Sequence, residues 1–188
     1  MDVRLLNLGF EPAYEVDIDP DFPSTGVWNV RRLRIGDHAE GRILFRLTPE
    51  QGNPWIGDFG CDTRSVHAGL YACPNANHLL VCTGLRAYLI DVSDPDSVGE
   101  LPIAPITDVS RPAGIAMLVV TSFQDIAGID TSGLIWIDNG LFLDDLKVAA
   151  SDAGVILVRG TGRTTPGVES RLKLDALTGN VIDSDESR

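Results

Sequence analysis

This 188-residue chain is short of most things that the common functional classes need. It carries 15 Lys and Arg against 27 Asp and Glu, a formal charge of −12. So few cations exclude a nonspecific nucleic-acid binder, whose affinity comes from neutralising phosphates. Three cysteines, Cys61, Cys73 and Cys82, are too few and odd in number for a disulfide framework, and they read as thiols of a reducing compartment. The longest apolar run, residues 113–120, falls far below the ~18 residues of a membrane helix. Met1, Asp2, Val3 and Arg4 do not open a signal peptide. The expectation is a cytoplasmic protein with no membrane and no nucleic-acid partner.

Helical periodicity is also missing. The 19 glycines and 11 prolines break the chain into apolar runs of four to eight residues, which is strand punctuation. Runs at 79–82, 87–92, 116–123, 155–158 and 171–175 each end at Gly, Asp, Ser or Thr, so the architecture is all-β. With 44% hydrophobic and 22% charged residues the chain has the composition of a globular protein. Its length suits a single β-rich domain over 1–182, followed by a polar tail at 183–188 that frays. Two hairpins are predicted. One turns at Asn139-Gly140, between 133–137 and 141–143, because both central positions of a two-residue turn need positive φ. The other joins 27–35 to 42–47 through a longer loop at 36–41. Pro12, Pro20 and Pro23 make residues 10–25 an extended surface segment rather than a central strand.

A faint repeat is the most informative pattern. Leu79-Leu80-Val81-Cys82 precedes Ala87-Tyr88-Leu89-Ile90-Asp91, Met117-Leu118-Val119-Val120 precedes Ile126-Ala127-Gly128-Ile129-Asp130, and Val155-Ile156-Leu157-Val158 precedes Arg171-Leu172-Lys173-Leu174-Asp175. The three aspartates lie 39 and 45 residues apart, near the ~40–50-residue period of propeller blades. Asp130-Thr131-Ser132-Gly133-Leu134-Ile135-Trp136 and Asp175-Ala176-Leu177-Thr178-Gly179 resemble blades of quinoprotein-type β-propellers, with their Asp, Thr-Gly and following Trp, over about residues 79–183. The Trp is absent from two of the three units, and no quinone or other cofactor is implied. The resemblance implies an antiparallel meander of hairpins in propeller-like repeated units, with a β-sandwich as the alternative. At ~45 residues per blade the chain has room for four at most.

The chemistry-bearing motifs are incomplete. Cys61, His67, Cys73, His78 and Cys82 offer zinc its preferred ligand types, but at intervals of 6, 6, 5 and 4 with no Cys-x-x-Cys, so no metal site is expected. Cys61 with His67 or His78 is the sequence's one candidate for a thiol nucleophile and its base. Asp17, Asp19 and Asp21 alternate as calcium ligands do, but Phe22 and Trp28 stand where such a loop needs Gly and Glu. The segment Gly160-Thr161-Gly162-Arg163 lacks the spacing and the lysine of a phosphate loop. Arg31, Arg32 and Arg34, with Arg42 and Arg46, form the only basic concentration visible in the sequence, and Trp28 and Trp55 lie in the same third. These five residues, Arg31, Arg32, Arg34, Trp28 and Trp55, are the candidate binding site. The reading is a noncatalytic protein-interaction module whose partner is a protein, a second copy of the chain included. A small acidic, immunity-like antidote that binds a basic toxin and a Cys/His-dependent hydrolase are the alternatives.

Overall fold

The computed structural model describes residues 3–24, 27–37, 41–62, 67–163 and 167–186. Within them the chain is all-β, with 17 strands and no helix long and apolar enough to cross a membrane. It folds as two compact units, Met1–Leu101 and Pro102–Arg188. The first contains β1 (Leu5–Leu6), β2 (Tyr14–Ile18), β3 (Arg31–Ile35), β4 (Arg42–Pro49), β5 (Trp55–Gly60), β6 (Gly69–Ala72), β7 (His78–Cys82), β8 (Ala87–Asp91) and β9 (Asp94–Glu100). The second contains β10 (Asp108–Ser110), β11 (Leu118–Thr121), β12 (Ile126–Asp130), β13 (Gly133–Asp138), β14 (Asp144–Asp152), β15 (Val155–Thr161), β16 (Glu169–Asp175) and β17 (Val181–Glu186).

Each unit holds two sheets. In the first unit they run in the order β2-β4-β5-β3 and β1-β6-β7-β8-β9, and in the second β10-β11-β12-β13 and β14-β15-β16-β17. Strands β6 to β9, β10 to β13 and β14 to β17 are three antiparallel meanders of the same connectivity. The three copies of the sequence repeat fall on their middle pairs, β7–β8, β11–β12 and β15–β16. Each repeated Asp closes β8, β12 or β16 for one physical reason. The Asp91 carboxylate accepts Ser93 N–H at 2.9 Å and its hydroxyl at 2.7 Å. Asp130 does the same with Ser132, at 2.6 Å for both bonds. Asp175 accepts Thr178 N–H and Oγ1, both at 2.9 Å, and Leu177 N–H at 3.1 Å. A carboxylate that bonds its own backbone two or three residues on turns the chain toward the next strand.

Period-two alternation supplies the cores. In the first unit Ile43, Phe45, Leu47, Trp55 and Phe59 from one sheet meet Leu70, Leu79, Val81, Tyr88 and Ile90 from the other. In the second, Met117, Val119, Ile126 and Trp136 meet Leu146, Ile156, Val158 and Leu174. Strands β6 and β11 are buried on both faces, which is why they read as continuous apolar runs. The rings over the cores need glycine opposite them. Gly57 faces Phe45 across β5–β4, and Gly128 faces Trp136 across β12–β13. A Cβ at either glycine would drive into the facing ring.

Three expectations are corrected. Asn139-Gly140 does not close a hairpin: β13 pairs with β12 and the chain after Gly140 passes to the other sheet of the unit. Gly140 has the expected positive φ of 68°, but its N–H is held by the Asp125 carboxylate at 2.8 Å and Phe142 enters the core, only 1% exposed. Burial of the ring decides the partner sheet over the local turn. Second, β3 and β4 do not pair; β3 lies parallel to β5, outside it, and positions 38–40 of the intervening loop lie outside the described residues. Third, residues 183–186 are not a tail outside the sheets. They belong to β17, which continues the ladder on β16 through Glu186. The proline-flanked segment is β2, an edge strand whose Tyr14 reaches the core.

Gly128→Ala should lower the unfolding free energy by about 1–3 kcal/mol, the usual penalty of overpacking. Gly99→Ala, whose Cβ would meet only Leu89 O at 3.8 Å, should change it by less than about 0.5 kcal/mol. Urea titrations followed by circular dichroism compare the two.

Candidate functional site

The parallel register of β3 on β5 places Arg31 beside Trp55. The loop 50–54, which joins β4 to β5, and the Asp91 turn at the start of β9 complete a cleft of about 490 Å³ lined by Asn29, Arg31, Asn53, Trp55, Ser93 and Asp94. Trp55 is its rigid floor. The indole is 1% exposed, donates Nε1–H to Val92 O at 2.9 Å, and lies edge-on to Phe45 with centroids 5.6 Å apart. Phe45 in turn stacks on Phe59 at 6.0 Å. At the rim, Arg31 forms an ion pair with Asp96, both side chains about half exposed or more. The residue preceding Asn29 is Trp28, which packs edge-on against Phe22 at 5.5 Å and 79°. Phe22 is 61% exposed and Val27 64%.

The other arginines diverge. Adjacent strand residues point to opposite faces, so Arg32 leaves the side of Arg31 and pairs with Asp58, a carboxylate only 1% exposed. Arg34, in register with Asp58, is exposed. Of the five sequence-predicted binding residues, the structure brings Arg31 and Trp55 into one cleft, sets Trp28 next along the chain from it, and gives Arg32 to a buried carboxylate.

The cysteine and histidine positions have a different chemistry from a nucleophilic pair. Cys61, Cys73 and Cys82 are buried free thiols. Burial pushes all three up, Cys73 to about 12, and Asp62 adds to the effect at Cys61. A nucleophilic thiol needs the opposite. His78 opens β7 opposite Asp91, and its carbonyl accepts the Tyr14 hydroxyl at 3.1 Å. His67 accepts the Tyr71 hydroxyl on its carbonyl at 3.4 Å. Among the described residues no three His, Cys, Asp or Glu side chains gather as metal ligands. In the glycine-rich segment, Gly160 lies in β15 beneath Phe142, and positions 164–166 lie outside the described residues.

Sequence order also hides a second basic concentration. Lys147, Arg159 and Arg171 are direct cross-strand neighbours on β14, β15 and β16, and Lys173 lies two residues further on the same face. Like charges directly opposite one another repel. Here each has an acid: Lys147 to Asp145 at 2.5 Å, Arg159 and Arg171 to Glu169 at 3.4 and 3.0 Å, and Lys173 to Asp183 at 2.6 Å. Folding the 155–175 hairpin at its loop would have revealed Arg159 opposite Arg171.

No family model matches the chain, and no curated protein sequence matches it. Among solved structures, apo AztD from Citrobacter koseri is similar over 85% of this chain and 48% of that one, at 15% identity and a TM-score of 0.44. The chain therefore spans about half the length of that protein. A likeness of this size carries none of its properties across.

Two measurements follow from this geometry. In the native protein all three thiols should resist alkylation and react together on unfolding, read by mass spectrometry after iodoacetamide. Fast labelling of Cys61 alone would contradict its burial. The second concerns Asp91, whose turn carries the cleft-lining Ser93 and Asp94. The Ser93 hydroxyl, chiefly, holds its carboxyl below the ordinary range. A lowered folded value means that its contribution to stability is complete above the unfolded-chain pKa and is lost as pH falls through the folded one. Asp91→Asn keeps the turn's acceptor but cannot titrate, so unfolding free energy should fall less steeply between about pH 5 and about pH 2 than in the native chain.

Proposed function

We propose that this chain is a noncatalytic protein-interaction module on a propeller-like scaffold, and that its contact surface is the first unit's cleft together with the Phe22–Trp28 pair. The observation that carries this reading is the aromatic pair itself: two large rings packed on each other, Phe22 61% exposed, with Trp28 one residue before Asn29 of the cleft. Trp, Phe and Arg are the residues that interfaces concentrate, and an aromatic anchor next to a polar cleft is the usual form of a binding hot spot. Asn29, Asn53 and Ser93 add groups that bond peptide backbone, and Arg31 can exchange its exposed partner Asp96 at little cost.

The scaffold reading is supported by the three meanders with one turn chemistry, and by a Trp that reaches from one sheet to the next within each unit. Sheets that cannot cover their own apolar faces are covered by their neighbours in a stack. The formal charge of −12 favours a partner with a basic surface around its apolar anchor, since complementary fields speed encounter. Three buried free thiols fit a reducing compartment.

A photo-crosslinking amino acid at position 22, in the chain expressed in its native host, tests the reading. It should capture a discrete protein that the same probe at Leu85, exposed but outside the cleft, does not capture. With that partner purified, Trp28→Ala and Arg31→Glu should each weaken binding about tenfold or more. Identical capture from positions 22 and 85, or affinity unchanged by both substitutions, would overturn it.

A further inference from the structure

The two faces of the β2-β4-β5-β3 sheet differ in kind. One sends Ile43, Phe45, Leu47, Trp55 and Phe59 into the first unit's core. On the other, strand register gathers four of the arginines that the sequence spreads over residues 32–46. Asp58 of β5 is at their centre. Arg34 is directly opposite it on β3, with Arg32 two residues away, while on β4 Leu44 is directly opposite, with Arg42 and Arg46 two residues to either side. Diagonal neighbours on a sheet stand about 7–8 Å apart, within reach of long side chains. Asp58 is 1% exposed and Leu44 5%, whereas all four arginines are exposed. One carboxylate does not balance four cations. Among the described residues only Arg32 of the four forms an ion pair, with Asp58. Asp17 is in register with Arg46 but forms no ion pair with it, and it lies with Glu15 on the edge strand β2, on the side away from β3. The basic face of the second unit is different, because every cation there has its acid.

We propose that this face binds a phosphoryl group, free or carried on a small molecule, over β5 between Arg34 on one side and Arg42 and Arg46 on the other. Arginine's planar fork matches the oxygens of carboxylates and phosphates. Of these two, the arrangement selects phosphate. β3 and β4 flank β5, two strand spacings or about 9.5 Å apart, so their forks arrive from opposite sides. A carboxylate presents two oxygens along one edge, whereas a phosphoryl group carries three acceptor oxygens and a charge of about −2, and receives forks from both sides. Asp58 occupies the fork of Arg32 and leaves the other three to the ligand. The buried Leu44 and Ile56 lie in the same face, and apolar surroundings strengthen a charge-assisted bond. A chain of formal charge −12 repels anions at a distance, so the ligand is held by these contacts rather than drawn in by the field. A second copy does not suit the site, since this face against itself sets arginine on arginine. The face is the reverse of the one that carries Trp55 and Arg31, and the inference is independent of the cleft.

Calorimetric titration of the full chain with inorganic phosphate is the test, at a pH where phosphate is a dianion and with sodium chloride adjusted to hold ionic strength constant. It should give a saturating one-site isotherm with a dissociation constant of about 1 mM or below. Arg34→Gln and Arg42→Gln should each weaken binding about tenfold. Both side chains are exposed and outside every described ion pair, so these variants should keep the native circular dichroism. Arg171→Gln, on the second unit's basic face, should bind as the native chain does. Glycerol phosphate separates the sources: tighter binding than inorganic phosphate assigns the site to a phosphate monoester, and equal or weaker binding assigns it to the free anion. No saturation by either compound, one affinity in all three variants, or malonate bound as tightly as phosphate would overturn the proposal.

Discussion

In each unit an indole N–H crosses from one sheet to the other and ends on the carbonyl that follows an aspartate turn. Trp55 reaches Val92 O at 2.9 Å, and Trp136 reaches Ala176 O at 2.8 Å. Both indoles are nearly fully buried, so an unpaired donor there would be costly, and the bond satisfies it only at one separation and one rotation of the two sheets. Hydrophobic burial is indifferent to orientation; this bond is not. The aspartates earlier in the chain of contacts matter because they fix the carbonyl's direction. Asp91 and Asp175 each tie their own turn, and the next residue's C=O then points at the neighbouring sheet.

The glycines follow from the same constraint. Trp136 lies over Gly128 on one side and against Gly179 on the other, and the latter has φ of 73°, a conformation that suits glycine in any case. In the first unit Phe45 takes the equivalent place over Gly57, and Trp55 packs on Phe45 rather than on a glycine. The two units thus reach one clamp with different ring stacks. In the first, the clamp leaves a cleft above Trp55; in the second, Gly179 fits closely against the ring.

How much of this was legible in the sequence depends on the range of the interaction. The middle hairpins were legible because their register is local and their alternation strong. The Asn139-Gly140 hairpin was misread because a turn signal says nothing of which sheet will bury Phe142. The role of Trp55 is hidden in the sequence repeat, in which Trp136 follows its Asp130 at close range. The bond spans 37 residues in one unit and 40 in the other, and in both it runs forward from Trp to the turn of the following sheet. Searched in that direction, Trp55 with Asp91 and Trp136 with Asp175 form a repeat of their own. Of the candidate site, Arg31 and Trp55 were visible as residue types, but only the parallel β3–β5 register places them side by side.

Burial also separates what the fold needs from what it leaves available. The middle strands carry the apolar cores, while groups left in solvent lie on connections and edges: Phe22 and Val27 between β2 and β3, Leu177, Val181 and Ile182 around the last turn. Scattered exposed apolar residues need no explanation. An exposed ring packed on a half-buried one is different, because burying one large side chain is worth about 1.5–3 kcal/mol, and this chain otherwise has so few aromatics that nearly all are committed to its cores. Leaving Phe22 outside forgoes that stabilisation. A partner that covered the pair would gain that surface energy, and this is why the proposed contact surface includes Phe22 and Trp28.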